Sequence, residues 1–349
     1  MHGRHAAWLF VGVAIAAAGC GAVPAAWTAS VSPSAAARVV VPAAAPDRSR
    51  LGFAVSTTGT SGTPVGRPTA LKIAESSLRL PTPTTRAVAF PSGSGIVVAG
   101  GLTATGTTGR VIRIPLDGRP ATMIGRLAYP VHDAGGALAG GSMLVLGGGD
   151  VTQDAWVQRV VVDGRSETPG RLPAARADLA AVTAGSQIVV LGGGASGRAD
   201  PRVLATSDGR RFRVVAILPI AVRYAAVAVV GSTILVLGGV TVAGDTAAIQ
   251  SVDLARGTVA VVGRLPQAMS HETALVVGGV VVLAGGRHGG KALDGVLEVD
   301  PASYAVRAGG RLPRAESDAA GVVVGGVGYL VGGEAARPLA TVVTIAVAS

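Results

Sequence analysis

Six residues downstream of each of six leucines, Leu80, Leu127, Leu172, Leu218, Leu265 and Leu312, the chain carries Arg86, Asp133, Asp178, Tyr224, His271 and Asp318. A guanidinium, three carboxyls, a phenol and an imidazole at one recurring position are groups that hold hydroxyls and charges, or move protons, when a fold brings them together. Further segments add Asp150, Arg198, Asp200, Asp245, Arg287, His288, Glu334 and Arg337. The chemistry expected of such a set is recognition of a polar ligand. Aspartates that recur at strand starts have a plainer use as well, which is to satisfy backbone groups of the adjacent chain crossing. Two pairs could do acid–base work, His271 with Glu272 and Asp178 with Arg176, and no spacing singles out either.

Other chemistries are poorly served. His132, His271 and His288 are the only histidines beyond the first twenty residues, and none stands at HxH or HxxxH spacing, so no metal site and no cofactor are expected. Phosphate-binding loops and Gly-x-Ser-x-Gly elbows do not occur. The net charge is +10, and all but two of the 30 basic residues are arginine. Arg79, Arg126, Arg171, Arg264 and Arg311 recur before the spaced leucines, which distributes the charge rather than building a nucleic-acid stripe. Arg210, Arg211 and Arg213 follow Asp208-Gly209, which reads as a hairpin tip.

The elements that must position these groups also repeat. Glycine doublets close apolar runs at Gly100-Gly101, Gly147-Gly148, Gly192-Gly193, Gly238-Gly239, Gly285-Gly286 and Gly332-Gly333, with first members 47, 45, 46, 47 and 47 residues apart. A period of that length, in units too small to bury a core alone, predicts the blades of a β-propeller. Within one unit an alanine-rich inner strand (178–183) turns at 184–186 into a second strand (187–191) that ends in the doublet. Third strands are expected over 156–162, with Asp163 at the end, and over 250–254. A fourth strand leads to the Leu-Pro crossing, where proline is expected to end it. The apolar stretch from Ala225 to Val242 imitates a membrane span, and the repeat divides it into two strands at Gly231-Ser232. The last unit lacks a fourth strand, and the segment 71–81 is a spare one. The N-terminal strand is therefore expected to complete the sixth blade and close the ring.

The doublet after an apolar strand, the aspartate ending the next strand, the Leu-Pro crossing and the period near 47 resemble kelch repeats over residues 69–347. The resemblance implies an all-β, six-bladed propeller of kelch type, like the central domain of galactose oxidase and the periplasmic sialic acid mutarotases. It also implies that the crossings and the doublet loops open on one partner-binding face, where the ring Arg86, Asp133, Asp178, Tyr224, His271 and Asp318, with Arg287 and His288, would surround the channel mouth. Most of the family's Tyr and Trp after the doublet are absent here. Copper-radical oxidation depends on a tyrosine cross-linked to cysteine, and Cys20 is the only cysteine, so that activity is excluded.

Arg4, the apolar run Ala6 to Ala18 and then Gly19-Cys20 read as a signal peptide over 1–19. Ala17-Ala18-Gly19-Cys20 resembles a lipobox, with alanine where the family prefers leucine, and implies lipidation of Cys20. Residues 20–68 read as an Ala/Pro/Ser/Thr-rich linker, and 69–349 as the propeller. The expectation is a lipoprotein on the outer face of the bacterial cytoplasmic membrane, or a secreted protein if Cys20 stays unlipidated. It would act as a non-enzymatic binding or scaffold module for an envelope protein or a polar glycan or peptide. The alternative is an exported carbohydrate-active enzyme of the mutarotase type.

Overall fold

The computed structural model describes residues 70–162 and 164–348, and among them there are strands and turns but no helix. Four-stranded sheets recur six times around an axis. Blade 1 runs Val88–Ser92, Gly95–Ala99, Arg110–Pro115 and Thr122–Arg126 from the inner to the outer strand, and blade 2 runs Gly135–Ala139, Ser142–Leu146, Trp156–Arg159 and Glu167–Arg171. Blade 3 comprises Ala177–Ala184, Gln187–Ala195, Arg202–Thr206 and Arg213–Ile217, and blade 4 comprises Ala226–Val230, Thr233–Leu237, Gly244–Asp253 and Thr258–Met269. Blade 5 is built from Thr273–Val277, Val280–Ala284, Gly295–Val299 and Val306–Arg311. Blade 6 takes Ala320–Val324, Val327–Val331 and Thr341–Val347 from the end of the chain and Leu71–Arg79 from its beginning. Leu71 faces Val347 and Ile73 faces Ile345 across that antiparallel pair, so the ring closes by the expected strand exchange.

The buried residues fall into six clusters, one at each seam between neighbouring blades. Leu144, Leu146 and Val157 of blade 2 meet Ile188, Val190 and Leu204 of blade 3, for example. The seam of blades 6 and 1 packs Val322, Val331 and Val342 against Ile96, Val98 and Ile112. No blade could bury its two faces alone, which is why the near-continuous Val/Ile/Leu runs of the second strands need neighbours on both sides. The inner strands line a central channel with a cavity of about 210 Å³, walled mostly by alanine and glycine. Larger side chains would collide where the six strands converge.

The glycine doublets stitch blade to blade. All twelve have φ between 60° and 105°, where a side chain is strained. A Cβ on the first glycine would also lie 2.1 to 2.9 Å from a carbonyl of the next blade, as at Gly147 against Arg176 O (2.3 Å) and Gly332 against Thr84 O (2.1 Å). The second glycine donates its N–H to that same carbonyl at 2.8 to 3.0 Å in all six seams.

Three local expectations are corrected. The third strand of blade 2 stops at Arg159, and Gly164–Arg165 turns aside to pair in parallel with the outer strand of blade 1, while Asp163 lies outside the described residues. In blade 4 the third strand starts early, at Gly244. Its outer strand runs on through Pro266 to Met269, because proline on an outer strand costs no ladder bond when its nitrogen faces away from the sheet. The apolar stretch 225–242 is two strands joined at Gly231-Ser232, as the repeat requires.

Candidate functional site at the channel mouth

The residue before each inner-strand entry bridges the residue after the doublet of its own blade, as in Thr85 with Leu102, His132 with Gly149, Arg223 with Val240, Ser270 with Arg287 and Ser317 with Glu334. Crossings and doublet loops therefore share one face. There Arg86, Asp133, Asp178, Tyr224, His271 and Asp318 meet in a closed circle of backbone hydrogen bonds. Each donates its N–H to the carbonyl of the preceding member at 2.9 to 3.2 Å, and Arg86 closes the circle on Asp318. All six have φ between 52° and 61°. L-residues pay roughly 1 to 2 kcal/mol each in that region, where glycine would fit freely.

The backbone thus satisfies itself, and the side chains are not needed for the task that would have made them purely structural. They bond to one another across the mouth. Arg86 Nη1 reaches Asp133 at 3.2 Å, with Asp318 at 3.9 Å and Glu334 at 3.7 Å from its other nitrogens. His271 Nδ1 lies 2.7 Å from Asp318 Oδ1. Asp318 Oδ2 accepts from Ser317 Oγ (2.6 Å) and from Arg287 (3.2 Å). The His271 ring stacks on Tyr224 with centroids 3.9 Å apart, and Arg223 pairs with Asp178 at 3.3 Å.

The carboxyls differ by surroundings. Burial pushes Asp133 up to about 7, against Arg86 and with the neighbouring Asp178 and Asp318 adding to the rise. Burial also raises Asp178, and the Tyr224 hydroxyl and Arg223 only partly offset it. At Asp318 burial acts the same way but is outweighed by the hydrogen bonds from His271 and Ser317, so this carboxyl sits below its usual range. An ionised Asp318 fixes the His271 proton on Nδ1 and leaves Nε2 to accept. The ring thus combines a carboxyl raised to about 7 with the hydrogen-bonded His271–Asp318 pair.

Of the loop residues, Arg287 and Glu334 join this cluster, 3.3 Å from each other. His288 does not: it is exposed and its Nδ1 lies 2.7 Å from the Ala268 carbonyl. Asp245 accepts from Ser270 and Gly289, Asp200 binds Arg176 and Arg202, and Asp150, Arg198 and Arg337 are exposed. Neither suggested acid–base pair forms. Arg176 is buried and turned to Asp200. Glu272 is buried with Oε1 packed against Gly238, and burial raises its carboxyl well above the ordinary value. Arg223 and Ser317 were not singled out by sequence, although the position just before each ring residue would have pointed to them. Asp208 caps the backbone of Arg210 and Arg211, which confirms a hairpin tip. Among the described residues no group of three or more His, Cys, Asp or Glu is placed to hold a metal ion.

No family model and no curated protein matches this chain. Its fold is similar to a solved structure described as that of YjhT, with a TM-score of 0.67 and 15% identity over 78% of this chain and 97% of that one. At that identity the likeness supports the fold alone: the described residues form a six-bladed, all-β propeller.

Proposed function

We propose that this chain is a lipid-anchored, extracytoplasmic propeller of kelch type that binds a polar ligand, a glycan or a peptide, at the channel mouth and serves as a binding or scaffold module of the bacterial cell envelope. The observation that carries this reading is the ring itself. Six side chains are kept at positive φ, where glycine would be more stable, although the backbone circle makes no use of them. Strain retained at converging polar residues supports a ligand site. The test is calorimetric titration of the full chain with a defined panel of sugars and short peptides. Saturable binding without turnover, weakened about tenfold or more by Asp178→Asn at unchanged melting temperature, is expected. Equal affinity of the variant would overturn the reading. The anchor is tested separately: Cys20→Ala should move the protein from the membrane fraction to the soluble one, and retention on the membrane contradicts lipidation.

A mutarotase reading is favoured by one observation, the coexistence of Asp133 near 7 with the His271–Asp318 pair. His271 Nε2 would take the proton of the anomeric hydroxyl while Asp133 gives one to the ring oxygen. The ring C–O bond then breaks, a carbonyl forms, and reclosure on the other face exchanges the anomers. Anomer exchange followed by NMR, lost in both His271→Ala and Asp133→Asn, would establish it; exchange at the uncatalysed rate would exclude it.

A further inference from the structure

On the same face, four residues before Asp133, the crossing into blade 2 carries Tyr129 with 42% of its surface exposed, the one aromatic side chain among the large exposed hydrophobics of the described residues. Its ring lies on Trp156, with centroids 5.0 Å apart and planes within 9°. The Arg171 guanidinium sits 3.9 Å from the centroid of the Trp156 ring. Trp156 opens the third strand of blade 2 and Arg171 closes the outer one, so the two stand opposite each other at the end of the sheet from which the crossings and doublet loops depart.

The platform is held rigidly. Gln158, fully buried, accepts from the Tyr129 N–H at 2.9 Å and donates to the Tyr129 carbonyl at 3.0 Å. Gln250 grips Ile220 in the same way on the crossing into blade 4. The grip is therefore a device of the fold, and the stacked aromatic pair is what the crossing into blade 2 adds. Between Tyr129 and Asp133 in the chain lies His132, with Nδ1 2.9 Å from Thr107 Oγ1 and Nε2 3.6 Å from Asp133. Burial, with Arg86 nearby, lowers its pKa, so it is a neutral imidazole able to donate and accept.

We propose that Tyr129, backed by Trp156 and Arg171, is a second subsite of the channel-mouth site, and that the ligand is an oligosaccharide laid from the mouth across His132 onto the Tyr129 ring. The inference rests on the reading of the mouth as a ligand site and names its ligand class. A sugar ring offers a C–H face to an aromatic plane and hydroxyls to carboxylates and imidazoles, which is the order of groups along this path. Tyr129 and Asp133 are separated by at most about 14 Å of chain, a span within the reach of a short oligosaccharide.

The test is titration of the full chain with glucose- and N-acetylglucosamine-based ladders from the monosaccharide to the hexasaccharide. Affinity is expected to rise about tenfold once the oligomer spans both subsites. Tyr129→Val should abolish that rise and leave the monosaccharide unchanged, Tyr129→Phe should keep it, and Asp178→Asn should weaken the whole ladder. Length-independent affinity, or a rise that survives Tyr129→Val, would overturn the platform while leaving the mouth intact. Binding of peptides alone, lost in Asp178→Asn, would also overturn the platform and keep the mouth. Failure of every sugar and peptide to bind would remove both.

Discussion

At the scale of single residues, two kinds of left-handed position separate what the sequence announces from what it hides. Doublet glycines are legible because no other residue combines their φ with a carbonyl at 2.1 to 3.0 Å from the missing Cβ. Gly147→Ala should therefore cost about 3 kcal/mol or more, since both the backbone and the Arg176 carbonyl would have to move. Gly185→Ala, at φ 60° with open space around it, should cost only about 1 kcal/mol. Chemical denaturation of the two variants checks the difference, and equal losses would contradict the stitching role. Ring residues are the opposite case. Their shared offset from the crossing leucines is visible in the sequence, but their φ is not, because nothing in the letters Arg, Tyr or His signals it. The pairing of His271 with Asp318 rather than with Glu272 was likewise hidden, because neighbours in sequence point apart here. Asp178→Asn is the informative substitution at the ring, as asparagine tolerates the left-handed region and only the charge is removed.

Among the elements, the terminal strand carries the most weight. Leu71–Arg79 pairs with Thr341–Val347, adds Leu71 and Ile73 to the seam of blades 5 and 6, and holds Arg314 and Arg79 through Glu75. A chain starting at Pro81 should lose cooperative unfolding and melt far below the full chain, whereas Glu75→Ala should cost only about 1 kcal/mol, its partners being partly exposed. Calorimetry distinguishes these outcomes, and a truncated chain that melts like the full one would contradict closure. This exchange was legible from arithmetic alone: one unit was a strand short and one segment was spare. Strand ends were less so. Pro266 does not stop its strand, and the strand at Trp156 ends early, because outer-edge pairing depends on which neighbour lies alongside rather than on local propensity.

For the whole molecule, the buried carboxyls set a pH dependence. Asp133 and Glu316, both raised to about 7 by burial, and Glu272, which burial raises well above its ordinary value, hold protons in the folded protein that the unfolded chain releases near pH 4. Folded pKa values above the unfolded ones mean that stability is greatest at the acid end and falls as pH rises from about 4 to about 7, by up to about 1.4 kcal/mol per group and pH unit. Asp200, held near 2 by its arginines against the opposing effect of burial, acts only below that window. The melting temperature should be higher at pH 5 than at pH 8, and Asp133→Asn should reduce the difference; a melting temperature that rises with pH would contradict the buried, protonated assignment. The central claim is that the strained polar ring binds a ligand at the channel mouth. Its most direct measurement is paired titration of wild-type and Asp178→Asn full-length protein with the same sugar and peptide panel, at matched melting temperature. Saturable binding that drops about tenfold or more in the variant is the predicted result, and binding of equal strength in both proteins, or in neither, would contradict it.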